Sequence, residues 1–273
     1  MTELVCDKAQ SLKDFTDTHY AQASFYFLQL LKNRDVKVNG KKVNANVFLS
    51  VGDKVCYYLT KKQEEKLAYY IVYSDGNVIV IDKESGVNSE AVFAALLRET
   101  GENCRFIHRL DRNTKGLMVF ALNADSEKEL LAAFKEKRVE KAYMVRTFGR
   151  FPKQKDVLTA YLKKDEEKSL VRIFDKATSG AEKIITEYEV LEERGEESKA
   201  KILLHTGKTH QIRAHLAHIG CPVVGDMKYG NALKNRACNL TRQCLVAKYL
   251  SFFLSGSLSY LNEKQFISQF DVD

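Results

Sequence analysis

The sequence predicts an α+β protein, a large mixed-sheet domain preceded by a small α+β domain. Three observations carry that expectation. Apolar residues recur with the two-residue period of strands in some stretches and with the 3.6-residue period of helices in others. The two periods do not alternate strand by helix, as a doubly wound parallel sheet would require. A charged stretch, LTKKQEEKLAYY at 59–70, interrupts the apolar pattern and divides the chain into 1–62 and 63–273. With 273 residues there is enough chain for each part to bury a core of its own.

In the small domain, SLKDFTDTHYAQ at 11–22 reads as a first helix, and SFYFLQLL at 24–31 sets apolar residues at helical spacing. A strand and the turn Asn39-Gly40 follow. Lys32 and Arg34 would close the helix beside Lys37, Lys41 and Lys42. Such a group is either a solvated face with a hairpin tip or a cationic grip.

The large domain opens with two β-branched runs around Asp75-Gly76, then a helix over SEAVFAALLRET that Gly101 closes. A strand is expected at 117–123. The helix over DSEKELLAAFKEKRV would be capped by Asp125 or Ser126, with Leu130, Leu131 and Phe134 on one face. In EKAYMVRTFG, Ala142, Met144 and Arg146 alternate with Tyr143, Val145 and Thr147, the period of a half-exposed strand. Strands at 184–192 and 200–206 would flank a solvated hairpin loop at 193–201, and a helix over HQIRAHLAHIG would end at Gly220.

The net charge is +7, and residues 201–250 account for all of it, with eight Lys and Arg against the lone acid Asp226. That local excess favours a polyanionic partner, because each neutralised phosphate releases counterions. The six cysteines are scattered without a C-x-x-C pair, and the chain opens without an apolar signal stretch, so a reduced, cytoplasmic protein is expected. No apolar run approaches the ~20 residues that span a bilayer.

Two polar segments stand out. RFIHRLDRNTKG, 105–116, packs three arginines, a histidine, a lysine and Asp111 between a helix and a strand. Positive neighbours at Arg109 and Arg112 favour an ionised Asp111, which is a surface ion pair unless a pocket shields it from water. LLHTGKTHQIRAHLAHIGCPVVGDMKYG, 203–230, brings Lys208, His210, Gln211 and Arg213, all able to meet phosphates or base edges.

Together these segments resemble the RluA-type pseudouridine synthases. The pattern H-R-L-D-x-x-T-S-G is met by His108, Arg109, Leu110, Asp111, Thr114 and Gly116, with Lys115 where serine is usual. K-x-Y is met by Lys141 and Tyr143. T-G-R-T-H-Q-I-R-x-H-L is met from Thr206 to Leu216, with Lys208 in the arginine position, and G-x-P-x-x-G-D-x-x-Y-G by Gly220, Pro222, Gly225, Asp226, Tyr229 and Gly230. At IDKESG, 81–86, the usual N-K-P-x-G lacks its proline. In the small domain, Val36–Val43 and Val51–Val55 resemble the V-x-V-N-G-K-x-V and V-G-D-x-V elements of the S-four-type RNA-binding domain, although its first helix is poor in arginine.

The resemblance implies a mainly antiparallel sheet with flanking helices and a central cleft, and isomerisation of a uridine in structured RNA, with large-subunit ribosomal RNA ahead of transfer RNA. Asp111 would be the nucleophile or the base that takes a sugar proton, Tyr143 would stack on the uracil, and Arg213 would pair with Asp111. Arg109 would fill the space left by the extruded nucleotide. His108, Arg112, Lys115, Lys208, His210 and Gln211 would meet RNA, as would Lys32, Arg34, Lys37, Lys41 and Lys42. No cofactor, metal or membrane contact is expected, and a monomer is expected.

Two other classes compete. A metal-dependent hydrolase would use the histidines of 205–218, but His210, His215 and His218 lie at offsets of five and three on one helix, and no H-E-x-x-H is present. A non-catalytic RNA-binding protein has no use for a carboxylate facing phosphates.

Overall fold

The N-terminal segment wraps a core of its own. It runs β1 (Thr2–Val5), β2 (Gln10–Ser11), α1 (Leu12–His19), α2 (Ala21–Asn33), β3 (Val36–Val38), β4 (Lys41–Val43), β5 (Phe48–Leu49) and β6 (Lys54–Tyr57). The computed structural model describes residues 1–101, 103–165 and 170–272. Ser11 caps α1 by accepting from the Asp14 amide, and Tyr20, extended at φ −141°, separates α1 from α2. Arg34 takes a left-handed conformation, φ 59°, and ends α2. The strands β1-β6-β3-β4 form an antiparallel sheet whose Val36, Val55 and Tyr57 share a core with Leu12, Phe15, Phe27 and Leu30.

After the short helix α3 (Lys61–Glu64), the chain enters the large sheet with β7 (Tyr69–Ser74) and β8 (Val78–Lys83). Then come α4 (Ser89–Thr100), β9 (Arg105–Phe106), β10 (Lys115–Ala121), α5 (Ala124–Lys135) and β11 (Val139–Phe148). The remainder is β12 (Lys155–Asp165), β13 (Leu170–Phe174), β14 (Glu182–Arg194), β15 (Glu197–Leu204), α6 (Gln211–His218), α7 (Ala232–Ala237), β16 (Leu245–Phe252) and β17 (Gln265–Ile267). Among the described residues the order is β13-β12-β14-β15-β11-β16-β10-β8-β7, with β9 on β10 and β17 on β16. Every pairing is antiparallel except β10 with β16. The mixed, mainly antiparallel α+β architecture expected from the sequence is the one observed.

The central strands are buried on both faces. In β8, Ile79 and Ile81 face one apolar cluster with α4 and α6, while Val78 and Val80 face another with Leu130 and Ala133 of α5. This corrects the half-exposed reading of 140–149: in β11, Tyr143 and Val145 join the first cluster, and Met144 packs with Val246 and Val272 on the other face. Alternation in sequence shows which residues share a face, and says nothing of whether the second face is covered.

Three smaller expectations are also corrected. The cap of α5 is Asn123, whose side chain accepts from the Ser126 amide at 2.9 Å, in place of Asp125 or Ser126. Leu131 is exposed, on the opposite side from buried Leu130. The hairpin loop expected at 193–201 shrinks to a two-residue turn, because β14 continues to Arg194 and β15 begins at Glu197.

The N-terminal segment is seated on the large sheet's helical face. Helix α1 packs along α4, and Ala21 and Phe25 of α2 join the large core. Asp17, buried in α1, receives an ion pair from Arg112.

Gly116 opens β10 at φ +114°, and a Cβ there would overlap the backbone nitrogen and oxygen of Ala247 in β16. The one parallel pairing of the sheet therefore depends on this missing side chain. Gly116→Ala should destabilise the protein by about 3 kcal/mol, read as a lower urea midpoint at unchanged slope.

Candidate active site

The loop that carries Asp111 is fastened on four sides. Ser89, the first residue of α4, exchanges hydrogen bonds with the Leu110 backbone, donating to its carbonyl at 2.9 Å and accepting from its amide at 3.0 Å. Asp111 accepts the Thr114 amide at its own carbonyl, 3.0 Å, and Thr114 accepts from the Gln243 side chain at 2.6 Å. The Arg112 carbonyl takes Lys83 Nζ at 3.1 Å and the Gly86 amide at 2.9 Å. The Arg112 side chain reaches across to Asp17 and to the Ser24 carbonyl at 3.1 Å.

Helix α6 supplies the counter-charge. It buries Ile212 and Leu216 in the large core and Ala214 in a second cluster with Leu162 and Ile184, which leaves Arg213 directed at the loop. Arg213 grips Asp226 through Nε at 2.6 Å and Nη2 at 2.9 Å, and its Nη1 reaches Asp111 Oδ2 at 2.8 Å. Asp226 also accepts the amides of Lys228 and Tyr229 at 2.8 and 3.1 Å. Burial pushes the Asp226 carboxyl up, but Arg213 and these amides outweigh it and hold the group below the usual carboxylate range. Arg213 is pushed above its ordinary value, since two carboxylates more than offset its burial.

Arg213 and Asp111 line one cavity of about 490 Å³, with Tyr143, Lys141, Arg109 and Lys208 also in its wall. Tyr143 comes from the centre of β11, is 5% exposed, and among the described residues its hydroxyl has no hydrogen-bond partner. Burial and the nearby Asp111 charge push its phenol above the ordinary range, so it is neutral. His210, left-handed at φ 54°, holds Tyr229 Oη at 2.9 Å and lies 4.0 Å from Asp111.

The structure thus brings Asp111, Tyr143, Arg213, Arg109, Arg112, Lys208 and His210 to one cavity. Gln211 also lines it, but its amide is spent on the Ile185 carbonyl, Thr186, Thr206 and the Lys208 amide, so its task is to hold the turn before α6. Arg112 is likewise engaged with the N-terminal segment. His108 turns inward, stacks on Phe134 and accepts the Val119 amide. Lys115 stands outside the cavity, against Glu84 and over the Phe270 ring. Lys32, Arg34, Lys41 and Lys42 are exposed on the N-terminal segment, and Lys37 lies over Tyr58.

Among the described residues no group of three or more His, Cys, Asp or Glu is arranged to hold a metal ion. His215 is bonded to Thr186 and His218 to Asp175.

Sequence reasoning gave Asp226 no role, although a lone acid in a strongly basic segment is a signal that a cation needs it. It also missed Lys83, which is fully buried and donates to the carbonyls of Glu84, Val87 and Arg112. Burial pushes Lys83 down to about 7, against the pull of the Asp111 charge.

A sequence profile of the family described as RNA pseudouridylate synthase matches residues 30–218. The chain belongs to that family. It is 31% identical over 229 residues to "Ribosomal large subunit pseudouridine synthase C" of Rickettsia bellii, covering 74% of this chain and 76% of that one. An "Uncharacterized RNA pseudouridine synthase" of Aquifex aeolicus is 30% identical over 260 residues, covering 84% and 80%. Among solved structures, "Human RNA Pseudouridylate Synthase Domain Containing 1" superposes with a TM-score of 0.61 at 28% identity, over 68% of this chain and 79% of that one. "Human RNA Pseudouridylate Synthase Domain Containing 4", with the same TM-score at 20% identity, shares the fold. As an RNA pseudouridine synthase, the protein is an isomerase.

Asp226→Asn should leave Arg213 buried with only Asp111 as a charged partner, at a cost of about 3 kcal/mol in unfolding free energy. Because the folded Asp226 carboxyl titrates below its unfolded value, its contribution is present above the unfolded value and is lost as pH falls through the folded one. The wild type should therefore lose stability on acidification below the ordinary carboxylate range, and the variant should show a shallower loss in urea titrations there.

Proposed function

We propose that this synthase isomerises a uridine of large-subunit ribosomal RNA, with Asp111 as its reactive carboxylate. The observation that carries the reading is Asp111 held by Arg213 beside Tyr143 in one cavity, with Asp226 gripping Arg213 from behind. Arg213 engages Oδ2 of Asp111, and among the described residues Oδ1 has no partner. That oxygen is free to attack the anomeric carbon of the ribose or to take the proton from its neighbour. Either route breaks the bond from the anomeric carbon to the ring nitrogen, lets the base turn, and joins the anomeric carbon to carbon five; Asp111 gives back the sugar carbon or proton it took, carbon five loses its proton and the freed nitrogen gains one. No net oxidation occurs, so the chemistry calls for no cofactor.

Tyr143 stacks on the uracil from the cavity wall and assists the departure of the carbon-five proton. Arg213 is a positioning residue that fixes the rotamer of Asp111. Arg109, exposed at the rim and 3.1 Å from Glu90, fills the place of the extruded nucleotide, which costs a few kcal/mol to unstack. Lys208 and His210 meet the RNA at the mouth. Residues 1–62 form an S-four-like RNA-gripping domain, with Lys32, Arg34, Lys37, Lys41 and Lys42 on its outer side, and 63–273 form the catalytic domain. The ribosomal substrate is supported by the names that the relatives in Rickettsia bellii and Vibrio cholerae carry.

The test is Asp111→Asn, which keeps the side chain's shape and removes its charge. RNA binding should stay within about threefold of wild type while tritium release from uridine labelled at carbon five falls by at least about 10⁴. Release at the wild-type rate would refute the assignment.

A further inference from the structure

Lys141 lies two residues before Tyr143 on β11, and it lines the cavity on one side and a second hollow of about 470 Å³ on the other. The two spaces share Arg109, Leu204, Gly207 and Lys208 as well, so they adjoin along one wall. No Asp or Glu lines the second hollow, while Lys135 and Lys137 do. Arg109, His205 and Lys208 have carboxylate partners in Glu90, Glu187 and Glu182. Among the described residues Lys135, Lys137 and Lys141 have none. Lys135 and Lys137 are exposed where α5 turns into β11, and Lys141 is half-buried with its ammonium 4.9 Å from the centre of the Phe134 ring.

A cation withdrawn from water without a counter-ion is costly, and burial pushes Lys141 down to about 8. Where a lysine serves only the fold, it finds acceptors, as fully buried Lys83 does with three carbonyls. Lys141 has no such set, and what its position lacks is an anion. The hollow is within the size range of small-ligand sites and matches the first cavity in volume.

We infer that the second hollow is a subsite for the nucleotide adjoining the target uridine, with a backbone phosphate held by Lys141, Lys135 and Lys137. This rests on the reading that the target uridine enters the cavity at Asp111. The subsite supplies ground-state affinity and register along the strand, and takes no part in the chemistry.

Two variants test it with the full chain and a short ribosomal RNA fragment that is turned over. Lys141→Met keeps the apolar stem, and the double variant Lys135→Ala/Lys137→Ala changes only exposed side chains and leaves folding intact. Each should raise KM about fivefold or more, flatten the dependence of log affinity on log salt by about 0.7 for each phosphate no longer neutralised, and leave the single-turnover rate at saturating RNA within about twofold. With RNA trimmed on one side of the target, the KM gap between wild type and variants should close. Unchanged KM and salt slope overturn the subsite, as does a gap that survives trimming on either side. A lost single-turnover rate at unchanged KM also overturns it, by moving Lys141 into the chemistry. Failure of the Asp111 assignment is read separately, because affinity and salt slope are measured on binding alone.

Discussion

The site depends on one guanidinium shared by two carboxylates. Withdrawing Arg213 from water costs several kcal/mol, and only good geometry recovers it. Asp226 supplies that geometry by a two-pronged grip, and is itself fixed by the amides of Lys228 and Tyr229. Asn235 ties the same turn from behind, accepting the Gly225 amide and donating to the Asp226 carbonyl. With Arg213 immobile, its remaining Nη1 presents one charge-assisted bond to Asp111 at 2.8 Å. Among the described residues Asp111 is thus held by one oxygen while the other is unengaged.

The second half of that arrangement is the loop. Loops are the mobile part of a fold, and a side chain fixed on one needs outside support. Here the support comes from elements far apart in sequence: Ser89 at the start of α4, Lys83 at the end of β8, Gln243 before β16, and Asp17 in the N-terminal segment. Burial pushes the Asp17 carboxyl up, yet hydrogen bonds from Arg112, Lys13 and Ser24 hold it below its usual range. The N-terminal segment is thus tied, through Arg112, to the residue next to Asp111. Seating of that segment and placement of the carboxylate are mechanically connected.

Much of this was legible in the sequence, and the limits have physical causes. The helix over 89–100 with its Gly101 stop, the turn at Asp75-Gly76 and the α6 helix follow from local chemistry that tertiary contacts do not override. The pairing of Asp111 with Arg213, 102 residues apart, followed from the family pattern and not from spacing. Local rules failed where a residue's partner lies in another element. Asn123 does not look like a cap because it ends an apolar run. The second covered face of β11 depends on β16 and on Val272 near the chain's end. That Gln211 is bonded to Thr186 and that His108 stacks on Phe134 could not be read from their residue types.

The charge excess of 201–250 shows why a count is weaker than a position. Of its eight basic residues, Lys208, Arg213 and Lys228 line the cavity, and Arg236 is exposed in the last turn of α7. Lys234 pairs with Glu196, Lys248 donates to the carbonyls of Ser268 and Phe270, Arg242 donates to Ser85, and Lys201 lies over Tyr249. The first three of these are tied to acceptors within the fold. The family's serine position, filled by Lys115, is absorbed the same way by Glu84 and Phe270, outside the cavity that Asp111 lines. Lys208 keeps the charge of the usual arginine at the mouth, held by Glu182. An ammonium there attracts a phosphate as a point charge, without the two-pronged fork of a guanidinium. Neither lysine touches the Asp226–Arg213–Asp111 chain, since Lys115 is engaged with Glu84 and Phe270 and Lys208 with Glu182.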